Sequence, residues 1–169
     1  MPQSHHLPLA SQLGLLAALG SGALLGGAYY FQYVVGLAPC EMCLWQRWPH
    51  MVAIAAGLLA LAAFAAPRLG LALLVVAIAA LFVTSGLGVY HAGVEQHWWQ
   101  GPQNCTGRVP AGLTAEELKQ YLMNARMVRC DEIPWKMWNI SMAGWNAILS
   151  GTLALVLSIT VFNHVRAKT

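Results

Sequence analysis

Residues 69–90 read LGLALLVVAIAALFVTSGLGVY, 22 consecutive positions without an Asp, Glu, Lys or Arg. Wound as a helix at about 1.5 Å per residue, this run is long enough to cross roughly 30 Å of hydrocarbon. It is one of several such stretches. No charged residue precedes Glu41, and none lies between Arg47 and Arg68 or between Lys136 and Arg166. The predicted spans are 9–30, 49–66, 69–90 and 143–162. Composition agrees: 58% of the 169 residues are hydrophobic and only 9% are charged, against about a quarter in soluble domains. The mean hydropathy is +0.57. A disordered chain is excluded, and a soluble protein would have almost no chain left to surround four such helices. The net charge of +3, with no basic run, gives no reason to expect nucleic acid.

The predicted fold is therefore all-α: a polytopic membrane protein of one domain, a four-transmembrane-helix bundle with loops about 31–48 and 91–142 on one side and both termini on the other. Pro49 is expected to open the second span, because its missing N–H has no intrahelical partner at a first helical position. Pro67 closes it. Gly57, Gly86, Gly88 and Gly151 are expected at close helix contacts. The N-terminal apolar stretch has no basic region before it and is too long for a cleaved signal. Proline directly before Cys40 argues against reading residues 37–40 as a lipidation site.

Lysine and arginine counts alone do not orient the bundle. Six basic residues fall on the loop side and three on the terminal side, but all six acidic residues also fall on the loop side. The positive-inside rule is weak for long loops. All seven tryptophans lie on or beside the loops, as expected of indoles at a membrane interface, and their one-sidedness suggests loop segments lying flat as a roof. Within the long loop, Thr114-Ala115-Glu116-Glu117 is a capping box. Leu118, Tyr121, Leu122 and Ala125 follow at helical spacing, predicting a short amphipathic helix.

The chemistry is expected at sulfur. Cys40-Glu41-Met42-Cys43 is a C-x-x-C pair, and Cys105 and Cys130 form a second, widely spaced pair. Four cysteines facing one compartment fit disulfides better than buried thiols, which requires an oxidising space, the periplasm in a bacterium. Both termini are then cytoplasmic. A helix beginning near the C-x-x-C brings its positive end to Cys43, and Arg47 adds a fixed cation; both favour a Cys43 thiolate. Glu41 works against it. The wide spacing of the second pair argues against an all-cysteine zinc site, Leu44 in place of histidine argues against covalent haem, and His50 with His91 is a weak signal for non-covalent haem. No metal is expected; the two histidines read more simply as interface residues.

Pro39-Cys40-Glu41-Met42-Cys43 followed by Arg47, four spans with this loop pattern, the Cys105/Cys130 loop, and Cys130-Asp131-Glu132-Ile133-Pro134-Trp135 leading to Ser141-Met142-Ala143-Gly144-Trp145 together resemble the DsbB family of bacterial inner-membrane disulfide-generating oxidoreductases. The resemblance implies that a Cys105–Cys130 disulfide reoxidises a periplasmic thioredoxin-fold partner of the DsbA type, whose thiolate attacks Cys105. Electrons then pass to Cys40–Cys43, with Cys40 exchanging with the loop cysteines and Cys43 facing ubiquinone, or menaquinone when oxygen is scarce. It also implies that Arg47, Met142 and His91 lie at the quinone. A DsbA-type disulfide is strongly oxidising, at roughly −120 mV, so its regeneration calls for a still stronger acceptor. Two other readings remain. One is a vitamin-K-epoxide-reductase-like oxidoreductase, although that class usually carries its loop cysteines before the C-x-x-C. The other is a non-enzymatic membrane protein with structural disulfides.

Overall fold

The computed structural model describes residues 8–102, 112–124 and 128–167. Its elements are α1 (Leu9–Tyr33), α2 (Glu41–Ala62), α3 (Pro67–Glu95), α4 (Ala115–Asn124), a two-stranded antiparallel hairpin of β1 (Lys136–Met137) and β2 (Ile140–Ser141), and α5 (Met142–Arg166). Three of the helices, α1, α3 and α5, are long and apolar enough to cross a membrane, consistent with an all-α, multi-pass membrane protein.

The remaining long helix, α2, packs against both α1 and α3, and α3 packs in turn against α5. Small side chains make this close packing feasible. Ala17, Ala53, Ala77 and Ala154 are fully buried with Leu74, Leu81 and Leu157 at the centre. Where α1 crosses α2, a Cβ on Gly14 would come within 2.7 Å of the Gly57 carbonyl oxygen, and one on Gly57 would collide with the Gly14 carbonyl. A Cβ on Gly88 would come within 2.9 Å of Ala147 N in the α5 backbone, and one on Gly151 within 2.8 Å of Ser85 Oγ. Ser11 Oγ and Ser85 Oγ reach across to the Ala60 and Ala147 carbonyls, supplying interhelical polar contacts where lipid offers none. Gly86 departs from expectation: a Cβ there would meet nothing within 4 Å. Large apolar side chains such as Leu19, Val75, Val83, Leu155 and Ile159 point outward. A soluble protein rarely shows so extensive an apolar surface.

Pro49 does not open α2. The helix begins at Glu41, with Cys40 as N-cap, and Pro49 lies inside it. A proline there removes one backbone donor but does not end a helix held on both sides by its neighbours. The second apolar stretch also leaves the helix at Ala62, four residues short of the expected Ala66, and α3 starts at Pro67, the position suited to a residue without an N–H. The expected loop 31–48 thereby shrinks to residues 34–40, and a mixed polar and apolar helical segment, 41–48, sits on top of the apolar part of α2. At 29 residues, α3 is about 43 Å long, more than hydrocarbon alone requires; its final turns carry polar residues into the same layer.

Beyond the bundle, the Thr114 N–H donates to Glu117 Oε2 at 2.8 Å, and Glu117 N–H faces Thr114 Oγ1 at 3.4 Å, closing the capping box ahead of α4. Leu118 is half-buried; the Tyr121 and Leu122 side chains and Ala125 lie outside what is described. The hairpin turn is unusual in placing Trp138 (φ 50°) and Asn139 (φ 62°) in left-handed conformation, as a two-residue hairpin demands. Ser141, at the end of β2, caps α5 by accepting the Gly144 N–H at 3.1 Å.

Candidate redox site

Cys40 is the last extended residue before α2, and its sulfur accepts the Cys43 N–H at 3.2 Å. The C-x-x-C thus forms the first turn of a helix, with Cys43 among the unpaired N–H groups and positive dipole of that end. Cys40 and Cys43 are unbridged, and Cys40 Sγ donates to Cys43 Sγ at 2.9 Å. That bond makes Cys40 the donor and Cys43 the acceptor of the pair. The Cys40 thiol is held above the ordinary range, first by its hydrogen bond to Cys43 and then by burial. Glu41, the first residue of the helix, does not line the cavity beside the thiols.

Cys130 is fully buried and disulfide-bonded; Cys105 lies outside the described residues. Cys40 Sγ, Cys130 Sγ and a ring nitrogen of His91 lie within 4.8 Å of one another. The segment carrying Cys130 is tied down by Arg129, whose guanidinium pairs with Asp131 at 2.7 Å and with Glu132 at 3.3 Å, and by Trp135 against Phe31 with ring centroids 4.8 Å apart.

Below the thiols opens a cavity of ≈ 580 Å³, within the range of small-molecule sites. Cys40, Cys43, Arg47, His91 and Met142 all border it, so the expected residues converge on one space. Arg47, only 8% exposed, donates to Gln32 Oε1 at 2.6 Å and lies 4.9 Å over the Tyr29 ring. Six further polar residues line it, Gln46, His50, Glu95, Arg129, Glu132 and Asn146; the sequence marked His50 only as a weak haem signal and gave no role to Gln46, Glu95 or Asn146. The histidines are not interface residues: His50 is 4% and His91 3% exposed. Glu95, read as a loop acid, ends α3 at 5% exposure, with Oε1 3.9 Å from His91 Nε2. An available signal was that polar residues in or beside apolar spans are costly and usually functional. Three buried polar atoms in the cavity wall have no hydrogen-bond partner among the described residues: Arg47 Nε, His50 Nδ1 and Glu95 Oε2. Unsatisfied buried groups of this kind mark a place for a polar ligand atom.

A thiol pair at a helix N-terminus, a disulfide sulfur beside it and an adjoining apolar cavity, set in an apolar helical bundle, define a membrane thiol–disulfide redox protein. Comparison with known proteins agrees. The family model described as "Disulfide bond formation protein DsbB" matches residues 10–160. Disulfide bond formation protein B of Stutzerimonas stutzeri (strain A1501) is 33% identical over 149 residues, covering 80% of this chain and 85% of that protein. Disulfide bond formation protein B 2 of Pseudomonas syringae pv. syringae (strain B728a) is 30% identical over 168 residues, covering 90% and 89%. Its counterpart in Polaromonas sp. (strain JS666 / ATCC BAA-500) is 31% identical over 159 residues, covering 90% and 91%. The chain belongs to the DsbB family, and its activity is that of an oxidoreductase in disulfide bond formation.

Proposed function

We propose that the protein reoxidises a DsbA-type periplasmic thioredoxin-fold protein and delivers the electrons to membrane quinone, ubiquinone in the first instance and menaquinone when oxygen is scarce. In this reading α2 is a fourth span, the cysteine segments face the periplasm, both termini are cytoplasmic and the membrane is the bacterial inner membrane. The observation that carries it is the convergence of Cys130, Cys40 and Cys43 at the head of one apolar cavity.

The partner's thiolate attacks Cys105, forming a mixed disulfide; the Cys105–Cys130 bond breaks and its electron pair leaves on Cys130. The Cys130 thiolate attacks Cys40 of an oxidised Cys40–Cys43 pair; the Cys40–Cys130 bond forms, Cys40–Cys43 breaks and the pair leaves on Cys43. A second thiol of the partner then resolves its mixed disulfide, releasing Cys105. The Cys105 thiolate attacks Cys130 to restore the loop disulfide, and Cys40 departs as a thiolate. Each sulfur moves within a site where short separations replace diffusion. The helix N-terminus and Arg47 favour the Cys43 anion.

A quinone fits the cavity: its ring suits the apolar wall, and one of its oxygens suits the unpaired Arg47 Nε–H. When bound it supplies a lipid-soluble two-electron acceptor. Arg47 orients it and stabilises negative charge on its oxygen, with Met142 and His91 beside it. The test is quinone reduction by purified protein with a reduced DsbA-type partner and a ubiquinone analogue. Cys40→Ser, Cys43→Ser, Cys105→Ser and Cys130→Ser are each expected to abolish it, and a Cys105-only chain to trap an oxidised partner covalently, the Cys105 thiolate attacking the partner's disulfide and releasing one partner thiolate. Trapping at Cys130 alone would reverse the roles given to the loop cysteines.

A further inference from the structure

Four hydrogen bonds of 2.7–3.5 Å join His50, Asn146, Gln46, His91 and Cys40 across three helices. Their direction follows from backbone carbonyls, which can only accept. The Gln46 Nε2 group lies 3.2 Å from the Met42 carbonyl oxygen, so the amide nitrogen, not its oxygen, occupies that end. The Asn146 Nδ2 group likewise lies 3.3 Å from the Thr84 carbonyl. Thr84 Oγ1 spends its proton on the Gln46 carbonyl at 3.1 Å and therefore accepts from Asn146 Nδ2, also at 3.1 Å. With both amides oriented, Asn146 Nδ2 donates to Gln46 Oε1 at 2.7 Å, and Gln46 Nε2 donates its second proton to His91 Nδ1 at 2.8 Å. At the far end, Asn146 Oδ1 accepts from Ser150 Oγ and His50 Nε2.

An imidazole nitrogen that accepts a hydrogen bond carries no proton, so neutral His91 must carry it on Nε2. Nε2 is the atom 3.5 Å from Cys40 Sγ, and its proton is shared between that sulfur and the backbone of Cys130. We propose that Gln46 and Asn146 are positioning residues that lock His91 in the Nε2–H tautomer, so that a donor always faces Cys40 when that sulfur departs as a thiolate. This rests on the exchange sequence proposed above, in which Cys40 is the leaving sulfur when Cys105 attacks the Cys40–Cys130 bond. The electron pair of the broken bond stays on Cys40, and the Nε2–H bond stabilises it without proton transfer. It also explains why uncharged amides, costly to bury, stand in an apolar helix layer.

The other titratable or charged groups around Cys40 are Cys43, Arg47 and His50 from α2, Glu95 from α3, and Arg129 and Glu132 from the segment carrying Cys130; α1 and α5 bring only neutral polar groups, Gln32 and Asn146, to this cavity region. The amide chain sets the tautomer of both histidines, His50 through Asn146 Oδ1 and His91 through Gln46 Nε2, but only His91 reaches Cys40 Sγ.

The experiment is nitrogen-15 NMR of the full chain, histidine-labelled, in detergent micelles, with His91→Gln to assign the ring. The expected spectrum has neutral His91 protonated on Nε2, and Gln46→Met and Asn146→Leu each convert it to a mixture of tautomers. In a chain retaining Cys40 as sole cysteine, Gln46→Met is also expected to slow alkylation of Cys40 at pH 7 about twofold, the loss anticipated when roughly half of the rings no longer present the Nε2–H donor. An Nδ1–H or doubly protonated His91 in the unmodified chain at pH 7 overturns the proposal without reference to any variant's folding. So does an unchanged tautomer in both variants, or an unchanged alkylation rate despite a changed tautomer. A shift in Gln46→Met alone removes Asn146 from it. If the unmodified protein fails to reduce quinone while the tautomer results hold, the failure belongs to the proposed function and not to the amide chain.

Discussion

Cys40 gives its thiol proton to Cys43 across 2.9 Å while its own sulfur accepts the Cys43 backbone N–H at 3.2 Å. The pair is asymmetric by construction. One sulfur is a helix cap and donates its proton; the other sits inside the first turn and accepts it.

Selective alkylation follows from this asymmetry. In reduced protein at pH 7, substoichiometric iodoacetamide is expected to label Cys43 before Cys40, as read by peptide mass mapping. Preferential labelling of Cys40 would show that the proton sits on the other sulfur.

Arg47 acts through geometry that lysine cannot reproduce, since its planar guanidinium both bonds Gln32 and lies over Tyr29. Arg47→Ala is expected to lower turnover with quinone by about a hundredfold, the scale of losing one donor at a developing negative charge. Arg47→Lys should recover only part of it. Steady-state kinetics against quinone concentration measure both, and a fully active alanine variant would exclude Arg47 from the site.

The α1–α2 crossing gives a stability contrast. Gly57→Ala drives a methyl group into the Gly14 carbonyl, so the helices must separate, at a cost of about 1–3 kcal/mol. Gly86→Ala meets open space and should be neutral or slightly stabilising. Thermal unfolding in detergent separates the two; equal Tm values would mean that the crossing is looser than described.

Much of this was legible beforehand, and the exceptions have physical causes. Lack of charge located the apolar stretches, but charge is silent on where a helix begins. Pro49 looked like a helix start because it is tolerated there, whereas tertiary packing lets α2 run through it from Glu41. The hairpin at 136–141 lacks the usual Asn-Gly or Asp-Gly signal, and its left-handed turn uses Trp138 and Asn139. Cys40, Cys43, Arg47, His91 and Met142 could be identified from motif and resemblance. Gln46, His50, Glu95 and Asn146 could not, because their role depends on partners as many as 100 residues apart in sequence, such as Gln46 and Asn146.

At the capping box, hydrogen bonds from the Thr114 hydroxyl and N–H hold the Glu117 carboxyl below its ordinary value of 4.5. A depressed carboxyl stabilises the folded form above that ordinary value, and the contribution is lost as pH falls through the lower folded value. The start of α4 should therefore be protected from amide hydrogen exchange at neutral pH and fray once pH falls well below the ordinary carboxyl value of 4.5. Thr114→Ala should weaken the protection at neutral pH and flatten its pH dependence. Protection that persists unchanged at acid pH would deny Glu117 this role.

The decisive measurement is stopped-flow reduction of a ubiquinone analogue by a reduced DsbA-type partner through the purified protein, comparing the unmodified chain with the four single Cys→Ser variants. Electron flow is expected only in the unmodified chain. Full turnover in all four variants, or none in the unmodified protein with a competent partner, would contradict transfer through these sulfurs to a quinone.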